Sequence, residues 1–330
     1  MRPSLKQRGA LAAVTISSLC CAHCGLIEST TTGELGNLSF SYDAKDELFN
    51  FNKPIALGAK LRITVRDAGG APGTGADVKS AATNNPSVAK VVSFEDSDVI
   101  VEGLADGEFD LEVSAEVGFP AESKEDRVSM LVREPEVLKI GHACKSFGAN
   151  KAYYLVGHHI ELTFEMELAD GQDVIGYDYY PIELDNPDLA TLTRGHEEAK
   201  IFKFTLGSRP GDLLISSTVD DTKATIGIVD EAAIDGARML GAEKDLGAIG
   251  TLRRVRPTVG GEDICSSELD REVSSLTPDI CKVTKGDKPE YVRFEFEPGS
   301  LNETCQFEVT YPGGNGGEGM TQVLEISTDI

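Results

Sequence analysis

Seven cysteines are the residues of this chain best equipped for chemistry, and they fall into two groups. Cys20, Cys21 and Cys24 crowd one stretch, whereas Cys144, Cys265, Cys281 and Cys305 are spread through the rest. A thiol just behind an export signal can carry a thioether-linked diacylglycerol, so Cys24 is the candidate lipidation site. Cleavage there would leave four cysteines, an even number suited to two disulfides with three possible connectivities. Cleavage after Ala22 without lipidation would leave five, one of them odd. Cys21-Ala22-His23 makes a poor lipobox before Cys24, so plain secretion stands as the alternative.

Other chemistry finds no constellation to carry it. Gly314 to Gly319 matches G-x-G-x-x-G, but strands precede and follow it where phosphate binding needs a helix N-terminus. The C-x-x-C at Cys21–Cys24 lies beside no βαβ unit, and H-E-x-x-H, G-x-S-x-G and P-loop patterns do not occur. His158 and His159, adjacent on a strand, point to opposite faces and cannot chelate one metal together; His142 and His196 read as surface or packing residues. Asp106, Glu108 and Asp110, then Asp185 and Asp188, then Asp220, Asp221 and Asp230 raise a calcium reading. None has EF-hand spacing, and an acidic chain carries acids in its turns. No catalytic residue, metal or cofactor is expected. Tyr177, Tyr179 and Tyr180 read either as a contact patch or as packing.

The elements that position these residues repeat. Asn85-Pro86-Ser87-Val88-Ala89-Lys90-Val91 returns as Asn186-Pro187-Asp188-Leu189-Ala190-Thr191-Leu192 and Thr277-Pro278-Asp279-Ile280-Cys281-Lys282-Val283, with prolines 101 and 91 residues apart. That interval is close to one antiparallel sandwich domain. Upstream of each proline a glycine leads into alternation, clearest at Ile160, Leu162, Phe164, Met166 and Leu168 with Glu161, Thr163, Glu165 and Glu167 between. Period two puts the two sets on opposite faces of a half-buried strand. Downstream, Asp106-Gly107, Pro210-Gly211 and Pro298-Gly299 are turns into a further strand. Each proline is expected at the head of a short edge strand, where no ladder donor is lost.

The heptad, an intervening strand and then "GLADGEFDLEVSAE" resemble bacterial immunoglobulin-like domains of the group-2 kind, found in repeat arrays of invasin- and intimin-type surface proteins. The resemblance covers nearly all of the chain after the leader, best in the first copy and weakest in the third, and there is no Trp. It implies an all-β chain of three tandem immunoglobulin-like β-sandwich domains after an N-terminal signal segment. Aligning the copies sets Cys281 opposite Ala89 and Ala190, and Cys305 opposite Phe109 and Leu213. Both positions should face the core, which suggests a Cys281–Cys305 disulfide; Cys144 and Cys265 then pair by elimination, as one of three connectivities.

Residues 1–24 hold Arg2, Lys6 and Arg8, then an apolar run from Ala10 to about Leu19 too short to span a membrane, and read as a signal peptide. Residues 25–36 are expected as a flexible tether, followed by sandwiches over 37–132, 137–229 and 235–330. The net charge of −24 becomes −27 without the leader. Such a surface repels nucleic acid and anionic headgroups, so membrane contact is expected only through the lipid anchor. The expectation is a non-enzymatic exported protein at the outer membrane or cell surface, or else secreted, with a structural or adhesive role. The alternative is an accessory subunit binding polysaccharide or protein through loops 67–77, 172–181 and 312–319. Oligomeric state is left open.

Overall fold

The structure, a computed structural model, describes residues 28–43, 51–70, 75–145, 149–244, 250–266, 269–297, 300, 303–313 and 319–327. Nine strands come first: β1 (Glu28–Thr32), β2 (Leu38–Asp43), β3 (Ile55–Ala56), β4 (Lys60–Asp67), β5 (Asp77–Thr83), β6 (Ala89–Glu95), β7 (Asp98–Gly103), β8 (Gly107–Val117) and β9 (Glu122–Arg133). They form two sheets, ordered β1-β2-β4-β7-β6 and β3-β9-β8-β5. Next come β10 (Val137–His142), β11 (Lys151–Leu155), β12 (His159–Glu167), β13 (Asp173–Val174), β14 (Ile182–Leu184), β15 (Ala190–Thr193), β16 (Ile201–Leu206), β17 (Gly211–Ser217) and β18 (Lys223–Val229). Their sheets run β10-β12-β16-β15, with β13 on β12, and β11-β18-β17-β14. The last are β19 (Gly236–Lys244), β20 (Gly250–Val259), β21 (Glu262–Asp263), β22 (Glu272–Ser275), β23 (Cys281–Lys285), β24 (Tyr291–Phe296), β25 (Thr304–Tyr311) and β26 (Met320–Ser327). They are ordered β19-β20-β24-β23, with β21 on β20, and β22-β25-β26.

Each sheet pair contains the four-plus-three order of an immunoglobulin constant-type sandwich, to which the first pair adds β1 at the outer edge of its larger sheet, so the fold is all-β and immunoglobulin-like. The first two pairs add a short strand, β3 or β11, parallel to the last strand of the pair. Period-two patterning builds these strands: in β8, Phe109, Leu111, Val113, Ala115 and Val117 are buried while Glu108, Glu112 and Glu116 are exposed. No helix among the described residues is long and apolar enough to cross a membrane.

The recurring heptad is the crossover from one sheet to the other, β5 to β6, β14 to β15 and β22 to β23. Its first residue accepts from the amide three positions on: Val88 N–H to Asn85 O, Leu189 to Asn186, and Ile280 to Thr277. The third residue past that start accepts through its carbonyl from the amide that directly follows the neighbouring strand of the sheet being entered, Leu104 after β7, Gly207 after β16 and Glu297 after β24. The prolines therefore sit within this turn, where their fixed φ suits the second position, and not at the head of the edge strand itself.

The expected tether over 25–36 needs correction. Residues 28–32 form β1, paired from Glu28↔Asp43 to Thr32↔Ser39, and the following turn is gathered by Asp126. Thr30, Thr31 and Thr32 are β-branched and favour a pleated strand. The first sandwich thus begins before residue 37. Cys24 and the rest of 1–27 lie outside the described residues, as do 71–74 of the 67–77 loop, 314–318 of the glycine-rich loop, and Pro298, Gly299 and Asn302.

Candidate functional site

Both junctions between sheet pairs are built from main-chain hydrogen bonds, which a flexible linker would not provide. At the first, the 172–178 segment of the second pair lies along the first. Ala56 N–H donates to Ile175 O (2.8 Å), Ile175 N–H to Pro54 O (2.9 Å), and Lys60 and Tyr177 exchange both bonds at 2.9 and 2.8 Å. Gly176 makes this approach possible: its φ is +142°, and a Cβ there would stand 2.6 Å from Ala59 Cβ. Lys53, its side chain only 6 % exposed, pairs with Asp173 at 2.8 Å. Lys60 Nζ reaches Asp178 at 2.6 Å, a bond that raises the lysine pKa and holds the Asp178 carboxyl below its usual range. The buried apolar residues of the first and second pairs consequently form one contiguous cluster.

A groove of about 400 Å³ opens beside this junction. Leu61, Met166 and Ile175 form its apolar floor, with Arg62, Glu197 and Lys200 at its rim. Arg62 and Glu197 form an ion pair across it. No histidine or cysteine lines it; its ionisable side chains include Lys53, Arg62, Glu197, Glu198 and Lys200.

At the second junction Cys144 and Cys265 form a disulfide, their Cα atoms 5.3 Å apart. Around it Cys265 N–H donates to Tyr153 O (2.7 Å), Leu155 N–H to Ser266 Oγ (2.9 Å) and Arg256 to Cys144 O (3.3 Å), while Lys145 pairs with Glu262 at 2.6 Å. Beside it His142 is buried with Nδ1 3.3 Å from the Tyr154 hydroxyl. Burial, with the Lys145 charge adding, pushes the imidazole down to about 4, and burial pushes the Tyr154 phenol up. The other disulfide, Cys281–Cys305, joins β23 to β25 across the third pair with Cα atoms 5.8 Å apart; both sulfurs are in the core.

The remaining sequence candidates are dispersed. Asp106 pairs with Arg133, Asp110 accepts from Ser129 and Asn84, Asp185 accepts from Leu214 N–H, and Asp188 faces Arg209. Asp220 accepts from Leu138 N–H, Thr222 N–H and the Thr222 hydroxyl. Among the described residues no group of three or more His, Cys, Asp or Glu is arranged to hold a metal ion. Tyr177, Tyr179 and Tyr180 pack inward: Tyr177 is buried at the first junction, Tyr179 lies over Gly58, and Tyr180 meets His196 edge-on at 5.7 Å. The 172–181 loop, an outside contact in the alternative binding reading, is thus largely engaged with the chain's own first sandwich.

Asp126 was not singled out by sequence reasoning. Its buried carboxylate accepts from the amides of Leu35 (2.7 Å), Asn37 (2.8 Å), Leu38 (2.9 Å) and Arg127 (2.9 Å). Burial opposes the charge, but these four donors win and hold its pKa below the usual range. Its signal was parity: it shares the inward register of Val128, Met130 and Val132, an acid on an apolar face.

No family model and no curated protein matches the chain. Solved structures similar to it include domains 4–9 of the surface layer protein SbsC, at 14 % identity over 91 % of this chain and 46 % of that one, with a TM-score of 0.25. Invasin, a bacterial integrin-binding protein, is 13 % identical over 88 % of this chain and 59 % of its own, TM-score 0.24. Titin domains A168–A170 are 13 % identical over 89 % and 99 %, TM-score 0.23. The chain thus spans less than half of that surface-layer structure. At these scores no functional argument rests on the likenesses, and the immunoglobulin-like fold stands on the chain's own strand order.

Proposed function

We propose that the chain is a non-catalytic, exported structural or adhesive element of a cell surface, made of three tandem immunoglobulin-like domains. The observation that carries this reading is the pair of junctions, one of main-chain ladder bonds and partly buried ion pairs, the other closed by a disulfide. A spacer that must hold its ends apart gains from such junctions, and two disulfides suit an oxidising compartment. Anchoring through a lipid at Cys24 belongs to the same proposal. With β1 beginning at residue 28, such an anchor would hold the first sandwich close to the membrane instead of on a long tether.

A protein-binding accessory role is the second reading, favoured by Phe119, 102 % exposed at the tip of the β8–β9 hairpin, and by Phe94 on the edge strand β6. Polysaccharide stacking is less favoured, since the tyrosines are packed inward. The test is the intact mass of protein recovered from its native host, before and after reduction, combined with labelling of whole cells by an impermeant amine reagent. A cleaved, labelled chain that gains the mass of four hydrogen atoms when a reductant opens its two disulfides supports the proposal. An uncut Met1 with free thiols in an unlabelled protein would overturn it.

A further inference from the structure

We propose that β26 is a strand-pairing interface whose occupant is a second copy of this chain, joined edge to edge and antiparallel about a two-fold axis at Val323. β26 holds unbroken register with β25 over eight residues, from Tyr311↔Met320 to Thr304↔Ser327, and among the described residues it pairs with no other strand. In the first two sheet pairs the corresponding edge is closed by the chain itself, through β3 on β9 and β11 on β18. In the third, β19 stays with β20 as far as Lys244↔Thr251 and touches β26 through a side chain, Ala237 N–H donating to Gln322 Oε1 at 2.5 Å.

The other edges carry the features that keep strands apart. β5 has Lys79 at a bulge, β6 a bulge between Val91 and Ser93, and β19 a bulge between Leu240 and Ala242. β10 carries Lys139 and β23 carries Lys282 and Lys285, while β14, β15 and β22 have four residues or fewer. β1 is five residues long. From Met320 to Ser327 there is no lysine, arginine, proline or bulge, and the one charge, Glu325, is held by Gln306 at 2.7 Å.

The residues of β26 are complementary to themselves. Met320, Leu324 and Ile326 pack on the core of the third pair, while Thr321, Val323 and Glu325 face out and Val323 is 48 % exposed. An axis at Val323 sets Val323 against its own counterpart and Thr321 against Glu325 of the partner subunit, so no like charges oppose and an apolar β-branched pair closes at the centre. The same operation continues the three-stranded sheet β22-β25-β26 into six strands, an isologous contact that closes on itself. The inference holds wherever the chain resides and does not depend on the proposed surface role.

Sedimentation velocity on the full chain at about 0.15 M salt, where charges beyond about 8 Å are screened, tests this. The expectation is a monomer–dimer equilibrium, weakened at least tenfold by Val323→Lys, which faces two ammonium groups across the axis, and unchanged by Phe94→Lys on β6. Unaltered melting temperatures of both variants would show that folding is intact. Val323→Cys should form an interchain disulfide under mild oxidation. A wild type monomeric up to roughly 100 μM, where a micromolar interface is saturated, would overturn the proposal. So would a dimer indifferent to Val323→Lys.

Discussion

His142, at the end of β10, shows how a single buried residue sets a pH response. Burial and the Lys145 charge lower its pKa from 6.5 to about 4 in the folded chain. As pH falls below 6.5 the unfolded chain binds the proton first, so stability is complete above 6.5 and is lost progressively down to about 4. That difference is worth roughly 3 kcal/mol. His142→Gln is expected to flatten the urea midpoint between pH 6.5 and 4, where the wild type slopes; parallel slopes in both would mean another group titrates. Asp126 acts lower on the pH axis: its folded pKa is depressed, so its contribution is present above the ordinary carboxylate range and lost only as pH falls through the folded value. The sequence left the histidine open between a surface and a packing role, because its burial depends on Tyr154 of β11 and is not written in the residues beside it.

At the scale of elements, the first junction rests on a two-residue exchange and one glycine. Gly176→Ala would drive a methyl group into Ala59 at a φ of +142°, costing about 1–3 kcal/mol. The expected result is at least a tenfold loss of hydrogen-exchange protection at the Lys60 and Tyr177 amides, with β8 and β9 unaffected. Equal protection in the variant would show that the junction does not need the close approach. Strands such as β8 and β12 could be read directly, since alternation is a local pattern. The docking of the 172–181 segment on the first sandwich was not legible, whether its tyrosines are taken as packing or as a contact patch, because its partners, Pro54, Ala56 and Lys60, lie more than a hundred residues away and leave no mark in its own composition.

For the whole molecule, the two disulfides do different work. Cys281 and Cys305 lie 24 residues apart within one sandwich, a loop whose closure stabilises by about 3 kcal/mol, and replacing both by alanine should lower the unfolding free energy of the third pair by that amount. Replacing Cys144 and Cys265 by alanine should leave that transition within about 1 kcal/mol while lowering exchange protection at Cys265 N–H and around Tyr153. Urea unfolding and hydrogen exchange on the two double variants separate these outcomes; a shared effect on the third pair would mean that the junction and the sandwich unfold together. By itself the sequence determined the β class and the recurrence of the Pro-bearing heptad, because strand periodicity and repeated local chemistry are written in neighbouring residues, whereas the role of that heptad as the crossover between sheets came from the structure. Only the tertiary structure decided that residues 28–32 are a strand, that the tyrosine loop docks on the first sandwich and that Asp126 binds four amides. It also decided that, among the described residues, β26 pairs only with β25: nothing in β26 itself specifies this, since it follows from β19 keeping its register with β20, a pairing between residues distant from it in the chain.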